Sequence, residues 1–200
     1  MLADQYIQTV TDSLSSLFDH TEEIGTAADK TAQTVLNGHN VFVFDSHGII
    51  DSELTERASG LAIFRNLYQS TVKPSQGDLL IISSLTSDDD ASSKLSEEAQ
   101  AAGVQTIVIA PPGKLTDNAD LALKVISDDD NGVIKLSGIG KSFCPISGIL
   151  IAATAWAIVA ETAARIMKDG KVPTVMWGKH LKDGDRKFNE ARKRFTAEGY

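Results

Sequence analysis

The sequence predicts an α/β fold, a three-layer sandwich built on a mainly parallel five-stranded sheet and preceded by a pair of helices. Three observations predict it. Solid apolar runs rich in β-branched residues stand at 41–44, 79–82 and 104–110, with a more alternating run at 121–126. Helical periodicity fills the chain between them. Turn residues mark the junctions, as Asn37-Gly38 and Gln76-Gly77-Asp78 do. Strands alternating with helices pair in parallel through right-handed crossovers.

The elements follow in order. Over residues 2–18, Leu2, Tyr6, Ile7, Val10, Leu14, Leu17 and Phe18 recur at helical steps and form one apolar face. A second helix carries Ile24, Ala28, Thr31, Ala32 and Val35 and stops at Asn37-Gly38, where glycine accepts the left-handed conformation that ends a helix. The first strand, 41–44, reads as buried on both faces. Residues 52–67 are expected to be helical with Leu54, Ala58 and Leu61 inward, and 91–102 likewise with Leu95, Ala99 and Ala102 inward. The run at 121–126 alternates as an edge strand does. A long Ala-rich helix over 146–168 closes the core and is stopped by Gly170 and Pro173, and a charged helix near 185–197 ends the chain. The expected organisation is one domain over 1–200, with helices over 1–37, the sheet core over 38–145 and the long helix and tail over 146–200.

Composition narrows the function. The formal net charge is −8, which disfavours nucleic acid and anionic membrane surfaces as partners, because both demand Lys/Arg patches. The single cysteine, Cys144, forms no internal disulfide, so a reducing compartment, the cytoplasm, is expected. Asp4 stands where a signal peptide would carry positive charge, and the apolar stretch 146–160 is short and Ala-rich for a bilayer span, so it reads as a buried helix. The expected partners are small molecules and further copies of the chain, as a dimer or tetramer. No cofactor and no metal is expected.

In parallel sheets ligands bind at the carboxyl ends of the strands, where helix N-termini point free N–H groups into a crevice. Three loops lie there: Asp45-Ser46-His47-Gly48, Ser83-Ser84-Leu85-Thr86-Ser87 and Pro111-Pro112-Gly113-Lys114. The second has four hydroxyls ahead of a helix, the donors a sugar or phosphate needs, although the same residues also serve as turn formers and caps. Gly138-Ile139-Gly140-Lys141-Ser142 lacks the leading glycine of a phosphate-binding P-loop, and Asp128-Asp129-Asp130-Asn131-Gly132 lacks the glutamate spacing of a calcium loop. Cys144 has no His or Asn at a spacing that specifies a nucleophile. The first strand is not followed by Gly-x-Gly-x-x-Gly, which argues against a Rossmann dinucleotide site.

The order of these features resembles the sugar isomerase (SIS) domain family, over about residues 36–196. The residues that carry the likeness are "ELTERASGL", the Ser/Thr loop after the second apolar run, "LTDNADLALKV", "CPISGILIAATAWAIVAETAARIMKDGKVPTV" and the tail "KDGDRKFNEARKRF". The resemblance implies a sugar or sugar phosphate held against Ser46, Ser83, Ser84, Thr86 and Ser87. It places Glu53 where the family has the base of an aldose-ketose isomerase, a role a carboxylate fills by moving a proton between neighbouring carbons. In the first turn of a helix the same carboxylate also complements the helix dipole. The family's glycine-rich loop after the first strand is here Phe44-Asp45-Ser46-His47-Gly48, and its histidine on the long helix has no counterpart, leaving His47 and His180 as acid partners. Asp88-Asp89-Asp90 beside the Ser/Thr loop repels a phosphate, so a neutral sugar is an alternative ligand, and a module that binds without turnover is an alternative function.

Overall fold

The computed structural model describes residues 1–125 and 132–200; the end of the fourth apolar run at Ile126 and the acidic run Asp128-Asp129-Asp130-Asn131 lie outside the described residues. The described strands are β1 (Val41–Asp45), β2 (Phe64–Asn66), β3 (Leu79–Ser83), β4 (Gln105–Ile109) and β5 (Leu121–Leu123). They form one all-parallel sheet in the order β2-β1-β3-β4-β5. The helices are α1 (Leu2–Ser15), α2 (Thr21–Leu36), α3 (Ile50–Thr55), α4 (Asp90–Ala101), α5 (Lys114–Asp117), α6 (Ser147–Lys168) and α7 (Gly184–Glu198).

Strand alternation sends side chains to two cores, as a three-layer sandwich requires. Val41, Val43, Leu79, Ile81, Ile107 and Ile109 pack with α2, α3 and α6 on one face. Phe42, Phe44, Leu80, Ile82 and Val108 pack with α4 and α5 on the other. The long helix α6 has, by length and composition alone, enough apolar residues to cross a membrane. Here its Leu150, Ile151, Ala155, Ile158 and Ile166 are buried in the first core, beside α2.

The structure departs from the sequence reading in four places. The helix expected over 52–67 ends at Thr55, and the segment beyond it supplies β2, the fifth strand, whose Phe64–Asn66 pair in parallel with Val41–Val43. Leu61 forms an isolated antiparallel bridge with Val175, so partners distant in sequence override the local helical spacing. In α4 the buried face is Ser92, Ser93, Ser96 and Ala99, with Ala102 exposed and Leu95 half-buried. The first helix ends at Ser15, followed by a 3-10 turn, Ser16–His20, and α1 buries none of its residues fully.

This last difference sets a stability contrast. Ile151 is fully buried while Ile7 is exposed. Ile151→Ala is expected to cost about 2–5 kcal/mol in urea unfolding of the monomer, and Ile7→Ala to stay within about 0.5 kcal/mol.

Candidate functional site

From β1 the chain crosses through α3 to β2 on one side, and from β3 it crosses through α4 to β4 on the other. The two loops therefore diverge at the carboxyl ends of β1 and β3, the switch point at which doubly wound sheets open a crevice. Asp45 and Ser83 face each other there in register.

Asp45 is buried and its carboxylate is fully engaged. One oxygen accepts the His47 N–H (2.7 Å); the other accepts the Ile49 and Ile50 N–H groups (both 2.9 Å) and the Ser83 hydroxyl (2.6 Å). These bonds fold the loop after β1 and hold the start of α3. They also commit Ser83, which is completely buried, to the framework.

A second carboxylate joins the two loops. Asp89 caps α4, accepting the Ser92 N–H (3.0 Å) on one oxygen. Its other oxygen accepts hydroxyls from Ser46 (2.7 Å), Ser92 (2.7 Å) and Ser84 (3.1 Å). Burial alone raises its pKa, but the Ser92 N–H and the hydroxyls of Ser46, Ser92 and Ser84 outweigh it and hold the carboxyl below its ordinary value. Ser84 also donates to the Thr86 carbonyl (3.0 Å) and accepts the Thr86 N–H (3.2 Å), and the Ser46 hydroxyl lies 2.9 Å from His47 Nδ1. The third loop closes in as well, since a Cβ on Gly113 would sit 2.5 Å from Ser87 Cβ. Only glycine lets these two backbones approach so closely.

Of the residues expected to form the site, Ser46, His47, Ser84, Thr86 and Ser87 thus gather at one end of the sheet. Ser46, His47 and Thr86 are exposed, so they are free to meet a ligand. The Glu53 carboxylate accepts from Arg57 (2.6 Å) and from the Trp156 indole on α6 (3.0 Å). His180 lines a cavity of about 410 Å³ with Arg57, Ala58, Trp177 and Phe188, beside the end of α3. Among the described residues no hydrogen bond joins Glu53 or His180 to the serine cluster. Asp45, Asp89 and Trp156 were not singled out by sequence. The run Asp88-Asp89-Asp90 marks a helix start, but the sequence does not say which of the three acids caps it.

No family profile and no curated protein matches the chain by sequence. Among solved structures it is similar to a phosphoheptose isomerase from Francisella tularensis, at 16% identity and TM-score 0.56 over 80% of this chain and 99% of that one. It is also similar to the sugar isomerase domain of the RpiR transcription factor from Sphaerobacter thermophilus, at 14% identity and TM-score 0.53 over 98% of both chains. A third similar structure is the Vibrio vulnificus NanR protein complexed with ManNAc-6P, at 10% identity and TM-score 0.57 over 98% of this chain and 69% of that one.

The cap at Asp89 gives a measurable pH signature. Folding lowers this pKa from 3.8, so its stabilisation is complete above that value and is lost as pH falls through the lower folded one. Asp89→Ala is expected to lose about 1–2 kcal/mol in urea unfolding at neutral pH, the gap to the parent protein narrowing as the solution is acidified below the ordinary aspartate range.

Proposed function

Because this chain has the sugar isomerase (SIS) fold, we propose that it binds a sugar or sugar phosphate at the carboxyl ends of β1 and β3 and senses or scaffolds through that ligand without turning it over. The observation that carries the reading is the meeting of the exposed Ser46 hydroxyl and His47 with the Thr86 backbone at the switch point, held from beneath by the buried Ser84 and by Asp89. Hydroxyl donors and acceptors in that density suit a polyol, whose own hydroxyls need partners of both kinds. The similarity to a phosphoheptose isomerase and to the NanR protein complexed with ManNAc-6P supports a ligand of the sugar or sugar-phosphate class. Where a phosphate would meet the α4 N-terminus, the Asp89 carboxylate already accepts the available hydroxyls, which favours free sugars over phosphorylated ones.

The absence of turnover rests on Glu53 and the histidines. A base for proton transfer must reach the substrate carbon, and Glu53 already accepts hydrogen bonds on both oxygens from Arg57 and Trp156. The isomerase reading, with Glu53 as base and His47 or His180 as acid, keeps one supporting observation: His47 stands beside Ser46 in the cluster.

Thermal-shift titration against free and phosphorylated sugars, followed by solvent deuterium exchange on each ligand found, separates the two readings. Binding without deuterium entering the carbon next to the carbonyl is expected, with Glu53→Gln binding as the parent does. Deuterium incorporation that disappears in Glu53→Gln would instead establish the isomerase.

The chain is further proposed to act in the cytoplasm as a homo-oligomer, one domain per copy. Ile7 and Phe18 are 63% and 75% exposed on the N-terminal helical segment, apolar surface that a second copy would cover. Equilibrium sedimentation at micromolar concentration is expected to show a dimer or tetramer, and Ile7→Asp with Phe18→Asp to shift it to monomer. A parent protein that sediments as a monomer contradicts this assembly.

A further inference from the structure

The chain carries six arginines, and they divide sharply. Arg57, Arg165, Arg186 and Arg194 each pair with a carboxylate, respectively Glu53, Asp29 with Glu161, Glu190 and Glu198. The remaining two, Arg65 and Arg192, have no carboxylate within ion-pair distance among the described residues. Both line the same cavity, of about 470 Å³, bounded by the end of α2, by β2 and by α7. In a protein of net charge −8, acids are plentiful, so two unpaired guanidinium groups facing one hollow form an electrostatic feature of their own.

The rest of the lining fits the same purpose. His39 and Thr196 add polar groups, and the cavity includes no aspartate or glutamate. Ile63, Met176 and Phe195 supply an apolar surface, and the Arg65 guanidinium lies 5.9 Å from the centre of the Phe195 ring. A guanidinium held over an aromatic ring keeps its N–H edge free for an oxyanion, which it grips through two parallel hydrogen bonds. The volume is that of small-molecule sites. His39 and Asn40 immediately precede β1, so this cavity opens toward the amino ends of the strands, opposite the serine cluster.

We propose that this cavity is a second ligand site, independent of the sugar site, for a small organic oxyanion with an apolar body. Arg65 and Arg192 receive the carboxylate or phosphate group, while Ile63, Met176 and Phe195 receive the body.

Four probes test it by isothermal titration on the full chain: benzoate, phenyl phosphate, inorganic phosphate and phenol. Saturable binding is expected for benzoate or phenyl phosphate, and whichever is tighter identifies the headgroup. Inorganic phosphate and phenol, each lacking one half of the ligand, are expected to bind at least tenfold more weakly. Arg65→Gln and Arg192→Gln are each expected to weaken the bound probe at least tenfold. Arg186→Gln, the same charge change on α7 outside the cavity lining, is expected to leave it unchanged. The proposal is overturned if neither organic oxyanion saturates, if phenol binds as well as either, or if Arg186→Gln weakens binding as much as Arg192→Gln, which would reveal diffuse charge attraction. Because no residue of the serine cluster takes part, loss of sugar binding would leave these outcomes untouched.

Discussion

The buried carboxylate of Asp45 is the constraint on which the site depends. A charged group only 6% exposed at the end of a central strand is tolerable only if its oxygens are satisfied, and four donors satisfy them. Three of those donors are backbone N–H groups of the loop after β1 and the start of α3; the fourth is the hydroxyl of Ser83 on the neighbouring strand. The need to give the oxygens of one buried carboxylate hydrogen-bond partners thus fixes the path of the first loop, the entry of α3 and the pairing of two strand tips. Ser46 and His47 are placed as a consequence.

The same device recurs around the sheet. Asp78, 1% exposed at the amino end of β3, accepts the Asn40 and Ser75 N–H groups (2.7 and 2.8 Å) and so ties the entries of β1 and β3 together. Asp120 accepts the Thr106 N–H (2.7 Å) and hydroxyl (3.1 Å) and joins the entries of β4 and β5. Asp89 does for the loop after β3 what Asp45 does for the loop after β1, and through Ser46 it links one to the other. Part of the acidic excess of the composition is therefore structural: carboxylates accept the N–H groups that loops and helix starts leave without partners.

How much of this was legible in the sequence follows from what each element depends on. The strands β1, β3 and β4 announce themselves because both of their faces are buried, so the runs 41–44, 79–82 and 107–109 are wholly apolar. The three residues of β2 do not, because Phe64–Asn66 becomes a strand only through pairing with Val41–Val43, and the preceding Leu54, Ala58 and Leu61 mimic a helical stripe. The serine-rich inward face of α4 defeats a reading based on apolar spacing for the opposite reason: its buried positions are polar. At the site, the residue types that gather were readable from the position of the hydroxyl-rich loop after a buried strand. What they gather around was not, since Asp89 looks in the sequence like one of three equivalent charges. Likewise the bond from the Trp156 indole on α6 to Glu53, and the place of His180 in one cavity with Leu54 and Arg57, join residues distant in sequence, which no local pattern displays.

A single polyol site requires that the loops after β1 and β3 act as one physical unit. A double-mutant cycle on Ser46→Ala and Asp89→Ala measures this directly, because the cap of α4 is lost equally in both Asp89 variants and cancels, leaving the bond between loops. A coupling free energy of about 1 kcal/mol is the predicted result. Effects that add to within about 0.3 kcal/mol would mean that the two strand tips move independently, and with them the case for a single polyol site would fall.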